Sequence, residues 1–174
     1  MANTYTLIQA ITVGSGGSAE IEFTSIPATY TDLKLVLSGR TTRSAAGEEI
    51  FIRVNGLTTG IYSSKLLYAL SSGAASASQA SATSLYGGTI PAATATANTF
   101  GSLELYIPNY TSSNNKSLSY ESLLENNSTL AYELWVGAFL VGTSSSISSI
   151  NVYPANGGSY VQYSTAYLYG ISNA

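Results

Sequence analysis

The side chains in this sequence that could move a proton or hold a metal are carboxylates alone. There is one aspartate, Asp32, and all other acids are glutamates; histidine and cysteine are absent. Glu104, Glu121, Glu125 and Glu133 fall on or beside strand-like segments in the second half of the chain and could pair across a sheet. Two carboxylates held about 5 to 10 Å apart are what glycoside hydrolysis requires. On an alternating strand, however, a glutamate is by default the solvent-facing residue, and no surrounding motif joins these four into a site. Glu48 and Glu49 are consecutive, so on a strand they face opposite ways and do not converge on one ion. No EF-hand loop is present. The missing His and Cys remove zinc and blue-copper sites, disulfides, and Ser-His-Asp or Cys-His catalysis. The sequence therefore presents no catalytic residue, no cofactor site and no metal site.

Charge is scarce as well as chemically narrow. Six Lys+Arg stand against nine Asp+Glu, a net charge of -3, and charged residues make up 9% of the 174; roughly a quarter is usual. Six scattered cations are a poor footprint for nucleic acid, whose binding scales with the phosphates neutralised. Nearly half of all charges lie in one stretch: Asp32, Lys34, Arg40, Arg43, Glu48, Glu49 and Arg53. Arg40 and Arg43 flank Thr41-Thr42 between two strand-like runs. Two readings stand: a docking loop whose guanidinium forks set register on a protein partner, or a solvated loop with weak ion pairs. The acidic neighbours cancel the field that nucleic acid would need.

The elements that must position these groups are strands. Ala19–Thr24 alternates apolar and polar; Leu33, Leu35 and Leu37 keep one parity; Ile50, Ile52 and Val54 alternate with Phe51 and Arg53; Leu103, Leu105 and Ile107 alternate with Glu104 and Tyr106. A period of two puts one face in a core and the other outward. Gly14–Ser18, Asn55-Gly56 and Asn156-Gly157 read as turns, because Gly and Asn tolerate positive φ. Pro27 and Pro108 end strands, since proline cannot donate to a ladder. Later strands are expected at about Ser117–Leu124, Leu130–Val141, Ile147–Tyr153 and Ser159–Ile171, and Ile61–Leu70 reads as a strand in spite of a leucine spacing that also fits a helix. Ser71 to Ser84 and Pro91 to Asn98 are Ser/Ala/Thr-rich and read as long loops that a partner could order. Residues 1–174 thus predict a single all-β domain, a jelly-roll-like antiparallel β-sandwich of about nine or ten strands. No membrane span is expected, because the most apolar run, Leu134–Gly142, falls well short of the about 20 residues a helix needs.

Two excesses point to surfaces. Leu130–Val141 is apolar on both faces: Tyr132, Leu134, Val136, Ala138 and Leu140 on one, Trp135, Gly137, Phe139 and Val141 on the other. Either another layer covers both faces, or the Trp135/Phe139 face lies in a subunit interface. The chain also has 14 tyrosines, of which Tyr160, Tyr163, Tyr167 and Tyr169 crowd the last strand-like segment. Their parity changes between Tyr160 and Tyr163, which suggests a bulge or tyrosines on both faces. Strand tyrosines of this kind serve as half-buried packing, as protein interface, or as a platform for sugars. The candidate interface residues are therefore Arg40, Arg43, Trp135, Phe139, Tyr160, Tyr163 and Tyr167.

The segments Thr4–Ile8, Phe23–Leu33 (FTSIPATYTDL), Tyr106–Ser112 (YIPNYTS) and Gln162–Ile171 (QYSTAYLYGI) resemble those of small β-rich virion proteins of tailed bacteriophages. The likeness spans most of the chain and rests on turn and strand signatures that carry no chemistry. It implies a structural, non-enzymatic virion protein such as a capsid decoration (cement) protein. Such a protein sits on the outer surface of the capsid, contacts the major capsid protein or another virion protein, and forms a trimer. The alternative is a tail-fibre or receptor-binding module that stacks host glycans on Tyr or Trp135. With so few ion pairs available, the unfolding midpoint should change little between dilute buffer and about 0.5 M NaCl, where the Debye length is only several Å. Thermal melts across that range check this.

Overall fold

The computed structural model describes residues 4–70, 72–125, 127 and 132–172. Strands run in chain order as β1 (Tyr5–Thr12), β2 (Ile21–Phe23), β3 (Asp32–Gly39), β4 (Gly47–Val54), β5 (Tyr62–Leu70), β6 (Gly73–Ala82), β7 (Leu85–Pro91), β8 (Gly101–Ile107), β9 (Lys116–Glu125), β10 (Tyr132–Val141), β11 (Ile150–Pro154) and β12 (Thr165–Ile171). No helix occurs among the described residues. The strands form two antiparallel sheets, one of eight in the order β1-β12-β3-β8-β9-β10-β5-β6 and one of four in the order β2-β11-β4-β7. The all-β sandwich expected from the alternation is what forms. Of the expected strand Leu130–Val141, Leu130 and Ala131 lie outside the described residues.

The period-two runs become the facing surfaces of the sandwich. Leu33, Leu35 and Leu37 on β3 and Leu103, Leu105 and Ile107 on β8 meet Ile50, Ile52 and Val54 on β4 and Ile150 and Val152 on β11, all fully buried. The turn chemistry follows the sequence. Asn55 and Gly56 both take positive φ, and the Asn55 carboxamide ties the turn to a neighbouring segment: Nδ2 donates to Ser146 O at 2.8 Å and Oδ1 accepts from Ser148 N at 2.8 Å. At Asn156-Gly157 the buried Glu48 carboxylate accepts the N–H groups of Asn156 (3.2 Å) and Gly158 (3.1 Å), while Glu49 faces outward on the same strand.

Two expectations about the elements are corrected. The Ser/Ala-rich stretch expected as a loop from Ser71 to Ser84 is mostly strand: β6 pairs with β5 from Leu70↔Gly73 to Ser64↔Gln79 without interruption. Small residues lack β-propensity, but a neighbour that offers its backbone edge supplies the ladder regardless. The expected last strand, Ser159–Ile171, begins only at Thr165. Tyr160 sits in isolated bridges to Ser18 and Thr41, and Tyr163 has φ 72°, so a turn rather than a bulge produces the parity change among the tyrosines.

Six phenols are held protonated by the fold. Burial pushes the pKa values of Tyr62, Tyr86, Tyr110, Tyr120 and Tyr160 above the ordinary tyrosine value, and the hydrogen bond to Asp32 does the same for Tyr106. A raised folded pKa contributes stability that is complete below the unfolded value, about 10, and is lost as pH rises above it. Lys116, whose pKa is lowered by burial, acts in the opposite sense. Stability should therefore stay level from about pH 6 to 9 and fall above about pH 10. Denaturant titrations at each pH check this.

Candidate functional site

The expected interface residues separate into buried and exposed groups. Arg40, just after β3, is 8% exposed. Its Nη1 donates to Thr96 O (2.7 Å), Thr99 O (3.2 Å) and Thr99 Oγ1 (3.1 Å), and its Nη2 to Ala95 O (2.9 Å) and Ala93 O (3.4 Å). The guanidinium is the internal post around which residues 93–99 wrap, and the docking fork expected at Arg40 is corrected accordingly. It also explains why the Ala/Thr-rich segment from Pro91 to Asn98 has a defined path, with Ala92 and Ala95 buried. Arg43 is half-buried and donates to Gly47 O at 3.3 Å. Tyr160 is fully buried. Tyr163 is 68% exposed, and Tyr167 is half-buried near Tyr169 with ring centroids 6.5 Å apart.

Of the two readings left open for β10, the structure packs the Trp135/Phe139 face against the second sheet and leaves the other face uncovered. Phe139 is buried and stacks on Tyr120 at 4.5 Å with the planes 10° apart, and Trp135 packs against the core. This is the inner face, toward the second sheet. The face left to solvent carries Leu134, Val136, Ala138 and Leu140. A signal for this was present in the sequence. Gly137 shares the inner face, and a Cβ there would lie 2.5 Å from the Tyr120 ring and 2.7 Å from Leu66, so that face admits no side chain at this point. A glycine inside a strand marks such a close approach.

The outer face of the large sheet can be read in register. One row crosses all eight strands as Ala10, Tyr167, Val36, Glu104, Glu121, Val136, Leu67 and Ser76. Toward β9, β10 and β5 the face is apolar: Leu67 is 61% exposed, Leu123 43%, Leu134 42% and Leu140 43%. Leu123 and Leu134 are direct cross-strand partners, as are Val136 and Leu67. Exposed leucines grouped on one face mark a contact surface, whereas scattered ones mark nothing. At the centre of the face Glu104 and Glu121 lie side by side, with Lys34 Nζ 2.6 Å from Glu104 Oε2. The hydrogen bond that Lys34 donates to the Glu104 carboxylate holds the Lys34 pKa above its usual value. The two carboxylates are cross-strand neighbours on one face of the sheet and, with Lys34, Tyr106 and Ser119, line an open depression of about 450 Å³. Among the described residues, no three acidic groups come together to hold a metal.

A second surface lies where the small sheet stops. Trp135 stacks on Tyr68 (4.4 Å between centroids, 22° between planes) and meets Tyr86 at 4.8 Å; Tyr86 meets Phe51, and Phe51 meets Tyr153, over which Arg53 sits at 4.7 Å. Trp135 Nε1 donates to Glu133 Oε2 at 3.1 Å. A groove of about 400 Å³ opens beside the stack, lined by Glu49, Leu66, Tyr68, Gln79, Tyr86 and Trp135. Aromatic walls with carboxylates and an amide suit a ligand that has both apolar faces and hydroxyls.

No protein-family model matches the chain, and no curated protein is significantly similar to it. The site therefore has to be interpreted from its own geometry.

The Arg40 post generates a direct test. Arg40→Ala leaves up to five acceptors of the 93–99 segment without their donor. It should cost about 3 kcal/mol of stability, the scale of losing charge-assisted buried hydrogen bonds. Arg43→Ala, which removes one 3.3 Å hydrogen bond from a half-buried side chain, should cost no more than about 1 kcal/mol. Urea unfolding of the two variants measures both.

Proposed function

We propose that this chain is a structural protein of a bacteriophage virion, seated on the outside of the head, that stabilises the shell by protein–protein contact and performs no chemistry. The observation that carries this reading is the outer face of the large sheet, where Leu67, Leu123, Leu134 and Leu140 stand exposed on a rigid, hydrogen-bonded surface. Covering a half-exposed leucine contributes about 1 kcal/mol, so four of them with Val136 and Ala138 give one modest contact. Repeated by the symmetry of a shell, modest contacts accumulate into lasting attachment. The resemblance to small β-rich virion proteins supports the same reading, with the major capsid protein or another virion protein as partner. A face that carries few charges keeps such a contact insensitive to salt.

The aromatic stack of Tyr68, Trp135 and Tyr86 favours a second reading, a tail-fibre or receptor-binding module that holds host glycans in the groove beside it.

Sedimentation with tail-free heads separates the two. The purified chain should co-sediment with heads in many copies. Leu134→Lys with Leu140→Lys should weaken that binding at least tenfold while leaving the melting temperature unchanged, because both side chains already face solvent. A chain that ignores heads, or a double variant that binds as before, removes the first reading. Loss of glycan-array signal on Trp135→Ala would support the second.

A further inference from the structure

The eighth strand of the large sheet is unlike the other seven. β6 pairs with β5 along one side, and its other side is a sheet edge. From Gly73 to Ser81 every residue is exposed on both faces, because the four-stranded sheet ends at β7 and offers no strand opposite β6. A ten-residue edge strand directs roughly half of its N–H and C=O groups outward, where they pair only with water or with another strand. Proteins normally blunt such an edge with a lysine, a proline or a bulge. β6, with the sequence GAASASQASA, has neither a charge nor a proline; its one irregularity, between Gln79 and Ala82 where Ser81 takes φ 53°, is confined to its last residues, and its register with β5 is unbroken from Gly73 to Gln79.

We propose that β6 is an assembly edge, which pairs antiparallel with β6 of a second copy of this chain across a twofold axis and joins the two large sheets into one. The side chains argue for a second copy as the occupant. β6 presents methyl groups, hydroxyls and one amide, so it has no large or charged side chain with which to select a foreign strand. Across a twofold axis the residue nearest the axis meets its own copy, and every other residue meets one equally far on the other side of it. A charged strand would then set like charges opposite one another, and β6 carries none. Its short side chains let two backbones meet without steric conflict on either face. The opposite edge of the sheet, β1, is the poorer mate. Its register with β12 shifts between Leu7 and Gln9, and it carries the bulky, exposed Tyr5 and Leu7. An isologous contact of this kind closes at two copies, whereas β6 on β1 would give a ring or a filament.

The purified wild-type chain, measured by light scattering over the micromolar range, should have the mass of a dimer. Ala75→Lys with Ala77→Lys places four like charges about the axis and should raise the dissociation constant roughly 100-fold or more. The melting temperature of the dissociated chain should not fall, since both residues face solvent. Mixing this variant with the Ala75→Glu/Ala77→Glu variant should restore a heterodimer, which damage to the fold would not do. Because the chain has no cysteine, single Cys substitutions from Ala74 to Ala80 provide a clean position scan. One position, or two neighbouring ones, should cross-link copies on mild oxidation, with a sharp fall on either side. A monomeric wild type, a trimer, or a dimer indifferent to the Lys pair would overturn the proposal. The measurement uses the chain alone, so its failure leaves attachment to a shell untouched.

Discussion

Two sheets of unequal width share one core, and most of the distinctive features of this protein descend from that mismatch. A four-stranded sheet can cover only about half of an eight-stranded one. Over β3, β8 and their neighbours the coverage is complete and the side chains are aliphatic, packed leucine on isoleucine. Beyond β7 the cover ends while β10, β5 and β6 continue. At that step the aliphatics give way to Tyr68, Tyr86 and Trp135, whose rings pack together. Past the aromatics nothing large remains, and β6 has only small side chains on both faces.

The chain has few charges, and several of them lie inside. The Arg40 guanidinium gathers carbonyl groups of the 93–99 segment. The Lys116 ammonium takes Ser112 O at 2.7 Å and Asn114 O at 2.6 Å, and Glu48 holds the turn at Gly157. In each case an ion satisfies backbone groups of an irregular segment, which lacks a ladder to satisfy them. These ions fasten loops onto the sandwich. By contrast, Lys34 and Glu104 pair on the open face, where solvent weakens the attraction and the pair contributes little. Counting charges from composition showed how few there were, and their geometry shows that the working ones are directed at the main chain.

Much of the fold was legible because alternation is a local property. The parities of Leu33/Leu35/Leu37, Ile50/Ile52/Val54 and Leu103/Leu105/Ile107 each identified a core face, and Asn55-Gly56 declared its turn. Legibility failed where a strand is apolar on both sides or on neither. On β10 both faces offered aliphatic or aromatic side chains, and only the glycine at 137 hinted which one was crowded. On β6 neither face carried a hydrophobic residue, so the segment looked like linker. Its strand character comes from β5, a partner distant in register logic though adjacent in sequence. Tyr160 sat in phase with an expected strand but belongs to a pair of bridges linking Ser18 and Thr41.

The sequence by itself determined the class of structure and excluded broad classes of chemistry. Period-two runs separated by Gly, Asn and Pro admit only strands and turns, and a chain without His or Cys lacks the groups that thiolate, imidazole and disulfide chemistry require. Only the tertiary structure decided which side became interior on the strands that are apolar on both faces or on neither, because there a two-residue period does not tell the faces apart. The choice is made by whichever layer packs opposite. That layer placed Trp135 and Phe139 inside and left Leu134 and Leu140 in water. It drew Arg40 into the body of the protein and left β6 as an open edge. These are long-range outcomes of how two sheets of different width meet, and no window along the chain contains them.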